Sequence, residues 1–416
     1  MDTPWHRRPA HRRWLETEAD ALFRFYEGES LDPKVGFFIL GVDGKPLDGE
    51  TERPLHLTTR MAHCAAIGVL LGRPGAYDLL DHAISSIWKR HRDPVHGGYW
   101  SSFDAEGARD RQKLAYGHAF VLLAASSAKC AGHPQADRLI ADITETLNGR
   151  FWEARHGASA EEFSEDWTPF SDYRGQNANM HLTEALMAAF EATGEADYLA
   201  RAESIADLIL RRGAGGANWR VPEHYRSDWT IDKEYRGSDM FRPFGYTPGH
   251  ALEWTRLALQ LWALGERTLE WLPQAAGRLF EQAVAQGWDD ERGGLYYTLE
   301  YDGTPRVRDR LWWPLCEGVG AAHFLGAEGA DASTEAWYRR FWDFIALRII
   351  DRREGGWRPQ LDDSLKPVSG YFVGKPDLYH ALQACLIPLH PADGSVTRGI
   401  LNSMSARGEL PQPAPL

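Results

Sequence analysis

The chain has 416 residues, of which 43% are hydrophobic and 25% are charged, and it carries a formal net charge of −13. This length suffices for one large domain or for two to three ordinary ones, and the composition is that of a globular protein. The acidic balance argues against nucleic acid or an anionic membrane as the partner. No apolar stretch is long enough to cross a bilayer, and segment 1–14 lacks the apolar run of a signal peptide.

The cysteines and the missing motifs narrow the class of protein further. Cys64, Cys130, Cys316 and Cys385 stand far apart in apolar helical patterns without CxxC spacing, which predicts reduced core thiols in a cytoplasmic protein. Neither a Walker A motif nor GxGxxG occurs, so no nucleotide or NAD cofactor is expected. The absence of GxSxG likewise gives little support to a serine nucleophile.

Hydrophobic periodicity predicts about twelve helices and few strands. In chain order the predicted helices cover residues 11–26, 58–71, 76–91, 112–130, 135–151, 177–193, 197–212, 248–264, 272–286, 314–325, 334–350 and 376–387. Two types alternate. Helices such as "ADYLARAESIADLILRR" are charged on one face, which is typical of an outer surface, whereas "YGHAFVLLAASSAKCAG" is almost free of charge and is expected to be buried.

The buried helices recur as an internal repeat. A polar residue stands near the start of each one, at intervals of 58 to 69 residues: Arg60, His118, His181, His250, Glu317 and His380. The connectors "HGGYWSSFDAEG", "RGGLYYTLEYDG" and "EGGWRPQLDDS" share a Gly-Gly turn and a later Asp turn, which favours short hairpins. Six outer–inner helix pairs therefore predict an all-α fold, an (α/α)6 barrel with short β-hairpins in the connecting loops.

No linker rich in Pro, Gly or Ser divides the chain. Residues 1–400 are therefore expected to form a single barrel domain with catalytic function. The Pro-rich end "ARGELPQPAPL" predicts a frayed tail over residues 401–416. Whether the protein is a monomer or a homo-oligomer is left open by the sequence.

The starts of the buried helices would bring polar side chains together at one mouth of the barrel. This set comprises Arg60, His63, Tyr116, His118, Asn177, Asn179, His181, Glu184, His250, Glu253, Trp312, Trp313, Glu317, Asp377 and His380. A single histidine on an apolar helix is more often a satisfied core residue. Imidazoles that recur at equivalent places in a repeat favour a functional pocket instead.

Two histidines have a carboxylate three residues away on the same helix. His250 and Glu253 stand at i and i+3 in "TPGHALEW", and Asp377 and His380 do so in "GKPDLYH", so each pair shares a helix face. A neighbouring carboxylate orients an imidazole and raises its basicity. Two such pairs would suit proton transfer next to a carbonyl, and the structural alternative is a capping pair at the helix start.

A metal site is the alternative use of these residues. Several His and Glu side chains converge, but there is no HExxH motif and no two histidines stand at i and i+4 on the relevant helices. Acid–base chemistry without a metal is therefore expected. A glycoside hydrolase or lyase would need two pocket carboxylates, where this sequence has imidazoles, and the paired imidazoles also argue against sugar binding without catalysis.

Three stretches, "RGQNANMHLTEALMAAFEAT", "TPGHALEW" and "GKPDLYHALQACLIP", resemble the N-acylglucosamine 2-epimerase superfamily. The resemblance extends from "RRWLETEADALF" to "LIPLH" and is strongest to the mannose isomerase and sulfoquinovose isomerase branch. It implies an (α/α)6 barrel and sugar isomerisation through a cis-enediolate, with neither metal nor cofactor and with a monosaccharide as the partner.

The resemblance also implies roles for matching residues. His250 and His380 would be the acid–base pair, with His380 as the proton shuttle between C1 and C2 and with Glu253 supporting His250. The expected substrate-binding residues are Arg60, Tyr116, Asn177, His181, Phe241, Trp313 and Asp377. Arg60, Asn177 and His181 would bind sugar oxygens, while Tyr116, Phe241 and Trp313 would wall the pocket.

The substrate is harder to predict than the reaction. A sulfonated sugar would call for extra amide donors, but two of the expected places hold Pro359 and Pro376, which have no side-chain donor. This favours an uncharged hexose and the interconversion of D-mannose and D-fructose, together with D-lyxose and D-xylulose. A sulfoquinovose isomerase and a sugar 2-epimerase of the same superfamily are the alternatives.

Overall fold

The computed structural model describes residues 3–238, 240–329 and 332–408, and most of them are helical. The α-helices are α1 (Pro9–Glu27), α2 (Leu55–Leu70), α3 (Ala76–Ser86), α4 (Ala115–Cys130), α5 (Ala136–Thr146), α6 (Gln176–Thr193), α7 (Ala196–Ala206), α8 (Pro248–Leu264), α9 (Trp271–Gly287), α10 (Trp312–Gly329), α11 (Ala332–Phe344), α12 (Tyr379–Leu386) and α13 (Val396–Arg407). Four outer helices continue into π-helical turns at Ile87–His91, Leu147–Phe151, Asp207–Ala214 and Ile345–Ile349.

The even-numbered helices α2 to α12 form a closed inner ring. Each contacts the next, and α12 contacts α2. An outer layer surrounds this ring, with α3, α5, α7, α9 and α11 packed on the inner helix that precedes each of them and α1 packed on α12. The predicted (α/α)6 barrel is therefore confirmed.

The division into two layers follows from the side chains. Outer helix α5 buries Ala136, Leu139, Ile140 and Ile143, a spacing of i, i+3, i+4 and i+7 that places one apolar stripe against the barrel. Inner helix α4 is buried at nearly every position from Ala115 to Ala128. A helix that is apolar all round is most stable when neighbours cover it on every side, because its apolar surface is then removed from water.

Short strands fill the connections. They are β1 (Leu31–Asp32), β2 (Gly36–Phe37), β3 (Arg53–Pro54), β4 (Ser102–Phe103), β5 (Lys113–Leu114), β6 (Trp152–Glu153), β7 (Ala158–Ser159), β8 (Glu162–Phe163), β9 (Arg174–Gly175), β10 (His224–Tyr225), β11 (Thr298–Leu299), β12 (Pro305–Val307), β13 (Arg310–Leu311) and β14 (Gln360–Leu361). The predicted Gly-Gly turns close isolated antiparallel bridges at 92–99, 288–295 and 350–357. Gly97 and Gly98 have φ of 74° and 71°, a region that disfavours other residues.

Most of the paired strands are not local hairpins, because they join successive repeats. β3, β5, β9 and β13 each directly precede an inner helix, and they pair antiparallel with β4, β8, β10 and β14 of the following repeat. Single bridges do the same before α8, from Tyr246 to Leu299, and before α12, from Lys375 to Leu40. These strand pairs and single bridges hold the starts of all six inner helices at one end of the barrel.

The twelve predicted helices are confirmed within a few residues at their ends. The predicted helix 112–130 begins only at Ala115, because Lys113 and Leu114 belong to β5. Helix α13 was not predicted, and it packs on α2 and α4. It places residues 401–407 in a helix, where the sequence predicted a frayed tail, and residues 409–416 lie outside the described residues. Within the described part of the chain, no helix combines the length and apolarity needed to cross a bilayer.

Candidate active site

A pocket opens where the inner helices begin. Its lining residues come from all six inner helices and two loops: Arg60, Tyr116, Asn177, His181, Met240, Phe241, His250, Glu253, Trp312, Trp313, Phe372 and His380. All but one of the predicted site residues line it, the exception being Asp377.

His250 is held by a carboxylate from outside its own helix. Its Nδ1 lies 2.9 Å from both carboxylate oxygens of Glu223, which is 27 residues earlier in the chain. Burial raises the pKa of Glu223, but the charge and the hydrogen bond of His250 lower it by more than burial raises it. The pKa of Glu223 therefore lies below its ordinary value. An ionised Glu223 accepts the Nδ1 proton, which leaves Nε2 as the basic nitrogen.

Other hydrogen bonds hold the Glu223 carboxylate in place. Gln176 donates its amide to Glu223 at 2.8 Å, and its own oxygen accepts the indole N–H of Trp254 at 2.7 Å. The backbone N–H of Thr247 donates to Glu223 at 3.2 Å. Gln176 therefore braces the carboxylate rather than contacting the sugar pocket.

His380 has the same arrangement with a different partner. Its Nδ1 donates to Glu317 of α10 at 2.8 Å, across 63 residues of sequence. Both side chains are buried. Burial raises the pKa of Glu317, but the charge of Arg256 and the hydrogen bond from His380 lower it below its ordinary value. The Nε2 atom of His380 is again the nitrogen available to a ligand.

The pairing predicted from i, i+3 spacing is therefore wrong for both histidines. Glu253 lies near His181 rather than supporting His250. Asp377 accepts the backbone N–H of Tyr379 at 3.0 Å, a capping role at the start of α12. Residues three apart share a helix face, but the fold brings a loop carboxylate to His250 and a carboxylate of the neighbouring helix α10 to His380.

Trp313 packs against both imidazoles. Its ring centroid lies 5.0 Å from that of His250 and 5.8 Å from that of His380, with interplanar angles of 33° and 38°. The two imidazoles therefore share one indole as a neighbour, and all three rings line the pocket. Aromatic faces of this kind are also surfaces on which an apolar sugar face can pack.

Arg60 of α2 provides a fixed cation in the pocket. It donates to Asp377 at 3.0 Å and to the Tyr116 hydroxyl at 2.8 Å. Asp377 is not among the lining residues, so the structure places it behind Arg60 rather than in contact with a sugar. Burial raises the pKa of Tyr116 to about 12, although Arg60 opposes this. The neutral hydroxyl accepts from Arg60 and keeps its own proton for another acceptor.

Asn177 and Phe241 form the outer rim. The Asn177 amide donates to the Phe241 carbonyl at 3.3 Å, while its Oδ1 is buried without a partner. The Phe241 side chain is 37% exposed and lies 5.7 Å from Tyr116, centroid to centroid. These three residues also line a wider cleft next to the pocket.

His181 and Glu253 form an unusual pair of unsatisfied groups. Neither oxygen of Glu253 has a hydrogen-bond partner, nor does His181 Nδ1, and the two side chains approach to 3.6 Å. Burial lowers the pKa of His181 to about 4. Burial, reinforced by the charge of Glu317, raises the pKa of Glu253 well above its ordinary value. Glu253 is therefore favoured as a neutral acid with a proton to give.

His181, Glu184 and Glu253 each offer a donor atom, and these atoms lie within 4.8 Å of one another. The oxygens of Glu184 are already used, one by the Tyr379 hydroxyl and the other by Arg256 at 3.3 Å. The guanidinium also lies 3.8 Å from Glu253. Arg256 neutralises Glu184, and Glu253 is favoured as a neutral acid, so we assign no metal to this group.

Besides Glu184, Glu317 and Asp377, three members of the predicted mouth set lie outside the pocket. His63 bonds to the Ser127 hydroxyl at 2.7 Å and lines a separate cavity farther down the barrel. His118 contacts the Leu114 carbonyl and the Tyr99 N–H, and Asn179 bonds to the Ser159 backbone. All three serve the scaffold, as the structural alternative for single polar residues on apolar helices predicts.

Glu223, Arg256 and the role of Glu317 were missed by sequence reasoning. Glu317 and Arg256 did carry a signal, because a charge inside an apolar helix is costly unless it is paired. Glu223 lies just before β10, and nothing in its local sequence separates it from other loop carboxylates. None of these partners could be deduced from spacing, since they are 27 to 72 residues apart.

A sequence model of the N-acylglucosamine 2-epimerase (GlcNAc 2-epimerase) family matches residues 5–384. A D-mannose isomerase of Pseudomonas cannabina pv. alisalensis is 42% identical over 396 residues, covering 93% of this chain and 94% of that protein. A D-mannose isomerase of Thermobifida fusca is 42% identical over 397 residues, covering 94% of this chain and 97% of that protein. A crystal structure of a D-mannose isomerase superposes with a TM-score of 0.86 at 34% identity, covering 92% of this chain and 99% of that one. The chain belongs to the N-acylglucosamine 2-epimerase family.

Proposed function

We propose that this protein is an aldose–ketose isomerase that interconverts D-mannose and D-fructose. The observation that carries the proposal is the pair of buried imidazoles, His250 and His380, both packed against Trp313 and each with Nδ1 bonded to a carboxylate. Two D-mannose isomerases that are 42% identical over most of their length support the substrate.

The reaction moves one proton between carbons and one between oxygens. In the open-chain aldose, His380 Nε2 removes the proton from C2, and the electrons of the C2–H bond form the C1–C2 double bond of a cis-enediolate. The charge moves to O1. Return of the proton to C1, with transfer of the O2 proton to O1, gives the ketose. We assign the carbon-bound proton to His380, whose Nδ1 is held by Glu317 so that Nε2 is available to the sugar.

The other groups receive charge and position oxygens. We assign ring opening and the proton between O1 and O2 to His250, supported by Glu223. Arg60, Tyr116 and Asn177 present a cation and donors to sugar oxygens, and such fixed donors stabilise a developing enediolate. Glu253 remains among the catalytic residues, now as a neutral acid facing the same pocket.

An uncharged sugar fits the pocket better than a sulfonated one. Among the described residues that line the pocket, Arg60 is the one guanidinium or ammonium group, and Asp377 already neutralises it at 3.0 Å. A sulfonate would be buried here without an unpaired cation, which costs free energy. We therefore propose mannose, with lyxose as a second aldose, ahead of sulfoquinovose.

The proposal is tested by incubating the pure protein with mannose, fructose, lyxose, glucose or sulfoquinovose in D₂O with and without EDTA. We expect ketose from mannose, with deuterium at C1 of the fructose formed, and the same rate with EDTA. Exchange of mannose and glucose without ketose would indicate a 2-epimerase instead. Loss of activity with EDTA that added metal restores would refute the metal-free mechanism.

We also propose a cytoplasmic location, supported by four unpaired cysteines of which three are fully buried. Cell fractionation with an antibody against the chain tests this. Recovery from a secreted or periplasmic fraction would contradict it.

A further inference from the structure

A single guanidinium lies directly beneath the sugar pocket. Arg256 of α8 is 2% exposed and is not among the residues that line the pocket. Its Nε donates to Glu317 at 3.0 Å and its Nη2 to Glu184 at 3.3 Å. The same nitrogen lies 3.8 Å from Glu253. Three carboxylates from three helices therefore face one cation.

Other titratable groups surround this centre. Those that face it or couple to it electrically are Arg60 and His63 of α2, His181 and Glu184 of α6, Glu253 of α8, Glu317 of α10, and Tyr379 and His380 of α12. A buried carboxylate stays ionised only where a cation or several donors compensate its lost hydration. Arg256 is the cation that directly contacts Glu317.

Glu317 divides its two oxygens between different partners. Oε2 accepts from Arg256 and Oε1 accepts from His380 Nδ1. The guanidinium thus reaches the imidazole through one shared carboxylate. Gly320, one turn farther along α10, leaves room for it, because a Cβ there would stand 2.9 Å from Arg256 Cδ.

We propose that Arg256 is a positioning residue for the isomerisation, which holds Glu317 ionised and so keeps His380 in the tautomer whose Nε2 faces the sugar. This inference rests on the proposed function of the pocket. Arg256 itself does not touch the substrate. Among the residues that the structure describes, no guanidinium or ammonium group bonds to Glu223, which accepts instead from an amide and a backbone N–H.

The pH profile of kcat with mannose tests the inference, for the unmodified protein, Arg256→Gln, Arg256→Lys and the control Arg267→Gln. Arg267 is exposed, pairs with Glu328 and stacks on Trp262, and it does not line the pocket. Without the cation, Glu317 takes up a proton at higher pH and no longer accepts from His380. We expect the acid limb of Arg256→Gln to move upward by about 1 pH unit or more, with at least a tenfold loss at the optimum.

Arg256→Lys keeps the positive charge but lacks the planar guanidinium that donates to two carboxylates. Its acid limb should therefore move less than that of Arg256→Gln. The profile of Arg267→Gln should superimpose on that of the unmodified protein. If Arg256→Gln folds and loses activity equally at every pH, with its acid limb unmoved, the residue is merely structural and the inference is overturned.

A second measurement needs neither turnover nor a stable variant at position 256. In ¹⁵N-histidine-labelled protein, the bonded Nδ1–H signals of His250 and His380 can be followed as the pH falls, with His250→Gln and His380→Gln to assign them. We expect the His380 signal to persist to lower pH than the His250 signal, because only its carboxylate touches a guanidinium. The reverse order overturns the inference, whereas absence of sugar turnover overturns only the proposed function.

Discussion

The two imidazole–carboxylate pairs of the pocket have the same local geometry in different surroundings. His250 bonds to Glu223 at 2.9 Å and His380 bonds to Glu317 at 2.8 Å. Glu223 is supported by neutral donors, whereas Glu317 is also paired with Arg256. Similar bond lengths therefore do not make the two pairs equivalent, because the charge next to a carboxylate determines how readily that carboxylate takes up a proton.

The largest effects are expected from removing the imidazoles themselves. His380→Ala and His250→Ala should each lower kcat by about 10³-fold, since general acid–base catalysis contributes about 10²–10⁴. In D₂O, His380→Ala should also lose exchange of the carbon-bound hydrogen, whereas His250→Ala should retain slow exchange because the carbon base remains. NMR of the recovered sugars measures both.

His156→Ala is a control, because this partly exposed ring lies outside the residues that line the pocket. If the His250 variant loses exchange and the His380 variant retains it, the two roles must be interchanged. A variant with a near-normal rate would remove its residue from the mechanism.

The next largest effect is expected from the supporting carboxylates, and here the pairs should differ. Glu317→Gln should lower kcat by about 10²-fold or more, because it loosens His380 and leaves Arg256 with one carboxylate fewer. Glu223→Gln should cost roughly tenfold less, since no cation is left unpaired. Steady-state kinetics and thermal unfolding of both variants check this, and equal losses of activity and stability would erase the distinction between the pairs.

A smaller effect is expected at Glu253, where a substitution should raise stability at pH 8 rather than lower it. A carboxyl whose pKa is raised on folding contributes stability below its unfolded pKa and loses it as pH rises through the folded pKa. Glu253→Gln never ionises, so it should be more stable than the unmodified protein at pH 8, on the order of 1 kcal/mol, but not at pH 4. It should nevertheless lose activity.

Thermal unfolding across that pH range measures the Glu253 effect. Glu266→Gln, at an exposed position, serves as the charge-matched control. A stability difference that is constant with pH would show that Glu253 is ionised in the folded protein.

The smallest effect is expected at the rim, which both pairs share. Phe241→Ala should raise the KM for mannose several-fold with little change in kcat, because a wall contributes binding that is equal in ground and transition states. Phe170→Ala is the matched control, since Phe170 is 58% exposed and lines only the neighbouring cleft. A fall in kcat at unchanged KM would instead give Phe241 a part in the chemistry.

Much of this protein follows from its sequence alone. Periodicity separates buried helices such as α4 from one-sided helices such as α5, and the repeat of polar residues at buried helix starts predicts both the six-fold barrel and its polar mouth. The pocket residues His250, His380 and Arg60 follow from the same repeat. Local spacing suffices here, because each helix carries its own pattern of burial.

Only the tertiary structure decided which groups act together. Spacing favoured Glu253 and Asp377 as partners of the imidazoles, but the barrel places Glu223 and Glu317 there. It also pairs Arg256 with Glu317 beneath the pocket, and no local pattern indicated that partner. The physical reason is that electrostatic energy depends on distance through space. In a closed ring of helices the shortest distances join residues that are far apart in the chain.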